Sequence, residues 1–136
     1  MFNTAISYLF YNRPHCVKIT FPILQKLKPK KLYLVADGPK SKRDVTLCKQ
    51  SREIVESLVN WDCEIIKLYS ENNLGLAHRT VSALNNIFEH EEELIFVEDD
   101  TFADLSFFYF CESLLKKYRY TNNVYHIGGC NYFENA

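Results

Sequence analysis

Three consecutive carboxylates, Glu98-Asp99-Asp100, follow the apolar run Leu94-Ile95-Phe96-Val97. Carboxylates this close repel one another unless a cation or a set of donors compensates them. Hard divalent ions take oxygen ligands, and Mg2+ or Mn2+ commonly binds through one or two carboxylates together with substrate phosphate oxygens. A metal site is one reading of the triad. The other is a helix start, with Asp99 or Asp100 capping the segment that leads through Asp104.

Two further clusters suit a phosphorylated ligand. Asp37-Gly38-Pro39 ends the run Leu32-Tyr33-Leu34-Val35-Ala36. Gly38 permits a tight turn, Pro39 sets the next, and Asp37 is left to accept from a base N–H or a ribose hydroxyl, or to serve only as a turn residue. Asn72-Asn73-Leu74-Gly75 leads toward His78 and Arg79. Free N–H groups at such a helix start can face an anion, and Arg79 offers a phosphate-compatible fork. The alternative has Asn73 as a cap and Arg79 in a surface ion pair with the acidic segment Glu89–Glu93. Arg13, beside Asn12, can reach a phosphate or remain solvated. There is no phosphate loop of the Gly-x-x-x-x-Gly-Lys type, no Gly-x-Gly-x-x-Gly fingerprint and no Gly-x-Ser-x-Gly elbow.

These residues need elements to position them. Short β-prone runs occur at Thr4–Phe10, Lys31–Ala36, Cys63–Tyr69, Glu93–Val97 and Val124–Ile127. Between them, apolar residues recur at helical spacing: Val17, Phe21, Leu24 and Leu27, with Pro22 predicting a kink; then Leu47, Ser51, Ile54 and Leu58; Ala77, Val81, Leu84 and Phe88; and Phe108, Cys111, Leu115 and Tyr118. Alternating strands and helices predict an α/β fold, Rossmann-like, with a mainly parallel sheet and helices on both faces. Residues 1–136 are expected to form a single domain. In such a sheet the ligand sits outside the carboxyl ends of the strands, and every candidate residue above follows a strand.

The 136 residues are 47% hydrophobic and 24% charged, with sixteen Lys+Arg against seventeen Asp+Glu. A net charge of −1 provides no broad positive field, so nucleic acid is not an expected partner. The five cysteines are scattered without C-x-x-C spacing and are expected to be buried free thiols in a reducing compartment. Without an apolar run of ~18 residues or a signal-like start, the expected location is cytoplasmic, with a peripheral position at the inner face of the membrane as a variant.

The ordered series Tyr11-Asn12-Arg13-Pro14, Asp37-Gly38-Pro39, Asn73-Leu74-Gly75, Glu98-Asp99-Asp100 and Phe107-Phe108 resembles the GT-A class of glycosyltransferases. It is most similar to bacterial sugar transferases and to Golgi N-acetylglucosaminyltransferases with a Glu-Asp-Asp metal motif, over nearly the whole chain. The resemblance implies a nucleotide-sugar donor, UDP- or GDP-linked, held with Mn2+ or Mg2+. Asp100 would be the direct metal ligand, with Glu98 supporting it, and Asp99 would face the ribose or sugar. Asp37 would contact the base or ribose, and Asn12 and Arg13 would wall the nucleotide pocket. Asn73 and Arg79, with His78, would approach the diphosphate or sugar. The acceptor, a saccharide, lipid or protein, and the catalytic base lie downstream in relatives. The chain is therefore expected to be the donor-binding half of a transferase, with no base assigned and Glu134 the one acidic stand-in. A non-catalytic binding or assembly module of the same fold, including a homo-oligomer, is the alternative.

Overall fold

The structure, a computed structural model, describes residues 2–129. Its four strands are β1 (Ile6–Phe10), β2 (Lys31–Ala36), β3 (Glu64–Tyr69) and β4 (Ile95–Glu98). They form one sheet in the order β3-β2-β1-β4, and every pair is parallel. All five residues of β1, Ser7 included, are buried, because the strand has a neighbour on each side and helices on each face. β3 lies at one edge and alternates less cleanly, with Ile65 exposed.

One face of the sheet presents Ile6, Tyr8 and Phe10 of β1, Leu32 and Leu34 of β2, and Ile95 and Val97 of β4. Against it pack α1 (Pro14–Thr20), α2 (Pro22–Leu27), α3 (Lys42–Leu58) and α5 (Leu105–Tyr118), through Val17, Leu24, Val55 and Phe108. The expected kink at Pro22 is a full break. Phe21 ends α1 and begins α2 in helical geometry, and Pro22, with no N–H to donate, takes the first position of the new helix. The opposite face presents Leu9, Tyr33 and Val35 to Ala83 and Ile87 of α4 (Leu76–Phe88).

Three expectations need correction. The buried side of α4 is Arg79, Ala83 and Ile87, not the stripe Ala77, Val81, Leu84 and Phe88. At 100° per residue the two sides are roughly 130° apart. The small Ala83 packs with Tyr33 and Val35, and Val81 and Phe88 are left 57% and 52% exposed. No strand forms at Val124–Ile127. Tyr125 is 92% exposed, so the run has no face to bury; the fifth cysteine, Cys130, and the acidic stand-in Glu134 lie outside the described residues. Finally, Cys48 alone of the four described cysteines is buried; Cys16, Cys63 and Cys111 are half-buried, and all four are free thiols. Among the described residues no helix is long and apolar enough to cross a membrane.

Candidate functional site at the β1–β4 crevice

The sheet order reverses between β1 and β4. From β1 the chain goes outward to β2 and β3 on one side, then returns to β4 on the other. The carboxyl ends of two such strands border a crevice with no crossover helix above it, the usual ligand position in an open α/β sheet. The residues there are Arg13, after β1, and Glu98-Asp99-Asp100, ending β4 and following it.

Glu98 belongs to the strand, in register with Leu9. The pleat alternates side chains, so Glu98 lies on the α4 face with Leu9, and Asp99 on the face of α1. The Asp99 amide donates to the Leu9 carbonyl at 2.9 Å, and the Thr101 amide closes a turn onto the Glu98 carbonyl at 3.0 Å. The Thr20 hydroxyl donates toward the carbonyls of Asp99, at 3.2 Å, and Cys16, at 3.1 Å. Its one proton is thereby used, so Tyr8, 2.8 Å away, must donate to Thr20. Burial pushes the Tyr8 phenol well above its usual range and keeps it protonated for that task. This buried chain fixes the position of the tip.

Arg13 reaches across the crevice. Its Nη2 pairs with Asp99 Oδ1, and its Nη1 donates to Asp100 Oδ2 at 3.1 Å. The Asp99 side chain is 1% exposed, against 52% for Asp100 and 42% for Arg13. Burial raises the Asp99 carboxyl above the usual aspartate value, opposed by Arg13. Glu98 is raised by burial, then by the charges of Asp100 and Asp99. Asp99 Oδ2 is buried with no hydrogen-bond partner among the described residues.

The helix-start reading of the triad does not fit this geometry. The cap of α5 is Asp104, whose carboxylate accepts from the Ser106 amide at 2.9 Å. Nor does Arg79 pair with Glu89–Glu93. Glu91 is held by Lys31 and Tyr33, and Glu93 by Arg119.

The other expected site residues are brought together in a second cluster, turned inward. Asp37 is buried, and its carboxylate accepts from the amides of Gly38, Leu74 and Gly75 and from Asn73 Nδ2. The anion that the Asn73-Leu74-Gly75 loop receives is thus Asp37 itself. Asn73 Nδ2 also donates to the Gly38 carbonyl at 2.8 Å, and Gly75, at φ +76, leads into α4 with no side-chain cap. Arg79 is buried and donates to the Leu68 carbonyl and the Ser82 hydroxyl, a contact set that does not include the tip; burial lowers its pKa from the usual arginine value. His78 is exposed. Asn12 donates to Asp44 Oδ1 at 2.7 Å, and the Tyr11 hydroxyl accepts from the Lys40 amide at 3.0 Å. Three consecutive residues, Tyr11, Asn12 and Arg13, therefore tie the first loop to the start of α3 on one side and to the tip of β4 on the other.

Sequence reasoning missed Asp44, Thr20 and Arg52. Arg52 donates to the carbonyls of Asp37 and Ser70 at 3.1 and 2.8 Å and lies over the Tyr69 ring. Its place four residues after Cys48, beside the buried stripe of α3, was the available signal. Two surface clefts, of about 260 and 590 Å3, run along α3; neither is lined by Glu98, Asp99 or Asp100.

Among the described residues no group of three or more His, Cys, Asp or Glu side chains is placed to hold a metal ion. The pleat that separates Glu98 from Asp99 explains this. A divalent ion carried mainly by ligand phosphates needs only one or two carboxylates, however. Of the two aspartates, Asp100 is half-exposed and paired with Arg13, and the partnerless Oδ2 of Asp99 is enclosed by protein. No protein-family model, curated protein or solved structure matches the chain.

Proposed function

We propose that the chain binds a nucleotide-diphospho-sugar with Mn2+ or Mg2+ and acts as the donor-binding part of a GT-A-type glycosyltransferase. One observation carries this reading: Arg13 and the acidic tip meet across the strand-order reversal, so a phosphate-compatible cation and an oxygen-ligand set border one crevice. Asp100 would hold the metal, with Asp99 beside it and Glu98 contributing field from the neighbouring face. Such an ion bridges phosphate oxygens and stabilises the charge on a departing diphosphate. Arg13 would face the diphosphate, and Asn12, anchored by Asp44, would wall the pocket. Asp37, Asn73 and Arg79 serve this site indirectly, by fixing the loops after β2 and β3. The acceptor would be a saccharide, lipid or protein, and the location cytoplasmic or peripheral at the inner membrane face.

Calorimetry with UDP- and GDP-sugars, with and without Mn2+, tests the proposal. Metal-dependent binding of one donor supports it; folded protein that binds none with metal present overturns it. The uncovered apolar stripe of α4 favours a second reading, an assembly module of the same fold. Donor binding without transfer or donor hydrolysis, from a species that light scattering shows to be oligomeric, would select that reading.

A further inference from the structure

Among the described residues β4 pairs with β1 alone, so it ends the sheet with one side unpaired. We propose that this side is a docking edge for a second copy of the chain, the two β4 strands running antiparallel about a two-fold axis at Phe96. The inference rests on the assembly reading, to which it gives a surface, and is independent of donor binding.

Pairing with β1 fixes which way each residue of β4 turns its backbone groups. The amides of Ile95 and Asp99 donate to the carbonyls of Ala5 and Leu9 at 3.0 and 2.9 Å, and Val97, midway between them, shares their side by the two-residue period of a strand. Phe96 therefore turns both its N–H and its carbonyl away from β1, and Glu98 its N–H, toward the side that no strand meets among the described residues. The two edges of the sheet differ in kind. β3 carries Glu64 and Lys67, charges that discourage strand addition. β4 holds three apolar residues and a charge only at its end.

A second copy fits because the edge is its own complement. With Phe96 opposite Phe96, each N–H donates to the other's carbonyl, as in a hydrogen-bonded antiparallel pair. Glu98 then falls opposite Leu94, its N–H facing the Leu94 carbonyl, so the two Glu98 carboxylates are kept apart; in-register parallel pairing would set them side by side. Leu94 and Phe96 lie on the α4 face, partly buried against the cluster of Ala83 and Ile87, and pairing joins both copies of each into one apolar strip. Each pair consumes both β4 edges and leaves only the charged β3 edges outside, so assembly closes at two.

Sedimentation velocity across a concentration series reads the association state, and amide hydrogen exchange of the parent reads the surface. The parent is expected to dimerise. Its Phe96 amide, open in the monomer, should gain protection as concentration rises, while the amides of Ile95, Val97 and Asp99, which face β1, stay protected throughout. Phe96→Lys sets two ammonium groups opposite each other and should weaken the dimer at least about tenfold, whereas Phe96→Tyr, which keeps the aromatic pair, should dimerise like the parent. Circular dichroism checks that each variant folds, and the exchange measurement on the parent decides the matter where one does not. A dimer whose Phe96 amide stays open, or one that folded Phe96→Lys leaves intact, overturns this surface and leaves the assembly reading standing. A parent that is monomeric at every concentration overturns both, and calorimetry with nucleotide-sugars reads the donor proposal separately.

Discussion

Asn73 Nδ2 donates to Asp37 Oδ2 at 3.0 Å, joining the loop after β3 to the end of β2. The amides of Gly38, Leu74 and Gly75 complete the shell around the same carboxylate, so two loops 36 positions apart share one buried anion. A buried carboxylate is costly unless its oxygens find donors, and here both do.

Asp37→Asn replaces one accepting oxygen by a donor that meets amide donors head-on. We expect a loss of about 3 kcal/mol, read as a lower urea midpoint at unchanged slope. A midpoint equal to the parent's would show that the cluster is not an anchor.

Gly38 lies against the same loop. A Cβ there would stand 2.4 Å from the Asn72 carbonyl carbon and 2.6 Å from both the Asn72 oxygen and the Glu71 carbonyl carbon, all backbone atoms that cannot rotate aside. Gly38→Ala should cost about 1–3 kcal/mol in the same denaturation experiment, the range for forced overpacking.

Asp100 is the exposed member of the tip, and its pairing with Arg13 is solvent-screened. Asp100→Asn should remove metal-dependent donor binding in calorimetry while leaving Tm within a few degrees of the parent, because an exposed ion pair is worth about 0–1 kcal/mol and like-charge repulsion is relieved as well. A collapse of Tm would make Asp100 structural.

At the opposite end of the sheet, Lys31 Nζ lies 2.6 Å from Glu91, and the Tyr33 hydroxyl donates to it at 2.7 Å. Burial works against the Glu91 carboxylate, yet these donors prevail and hold it below the usual glutamate value of 4.5. A carboxyl depressed in the folded state contributes stability above its unfolded value and loses it as pH falls through the folded one. Glu91→Gln should therefore lower stability at pH 7 by about 1 kcal/mol, read from the urea midpoint, with the gap closing in acid below the glutamate range. A gap independent of pH would assign the effect to packing instead.

Much of the frame was legible because it rests on period. The strands ending at Phe10, Ala36 and Tyr69 are apolar runs between turn residues, and all lie where the pattern placed them. The side that α4 buries was not legible. Its apolar stripe and its packed side are separate, and the small Ala83 and the buried Arg79 decide the contact. The acidic tip was visible as three adjacent carboxylates, but the pleat that divides Glu98 from Asp99 depends on β4 running one residue further than the apolar run. Asp37 and Asn73 were singled out as ligand contacts, or else as turn and cap residues, and in the structure they bond to each other. That they answer one another is a matter of loop approach, which no local spacing encodes.

The first strand to be made is the inner one. During synthesis β1 gains β2 as a neighbour early, but its other flank stays open until the chain has grown to Ile95, on the order of ten seconds at ordinary ribosome speeds. An unpaired flank of such a mostly apolar strand is the kind of hydrogen-bonding edge that chaperones cover. When β4 docks, the same movement brings Asp99 to Arg13. The same strand thus completes the sheet on that flank and carries the residue that pairs with Arg13, so the two depend on one docking.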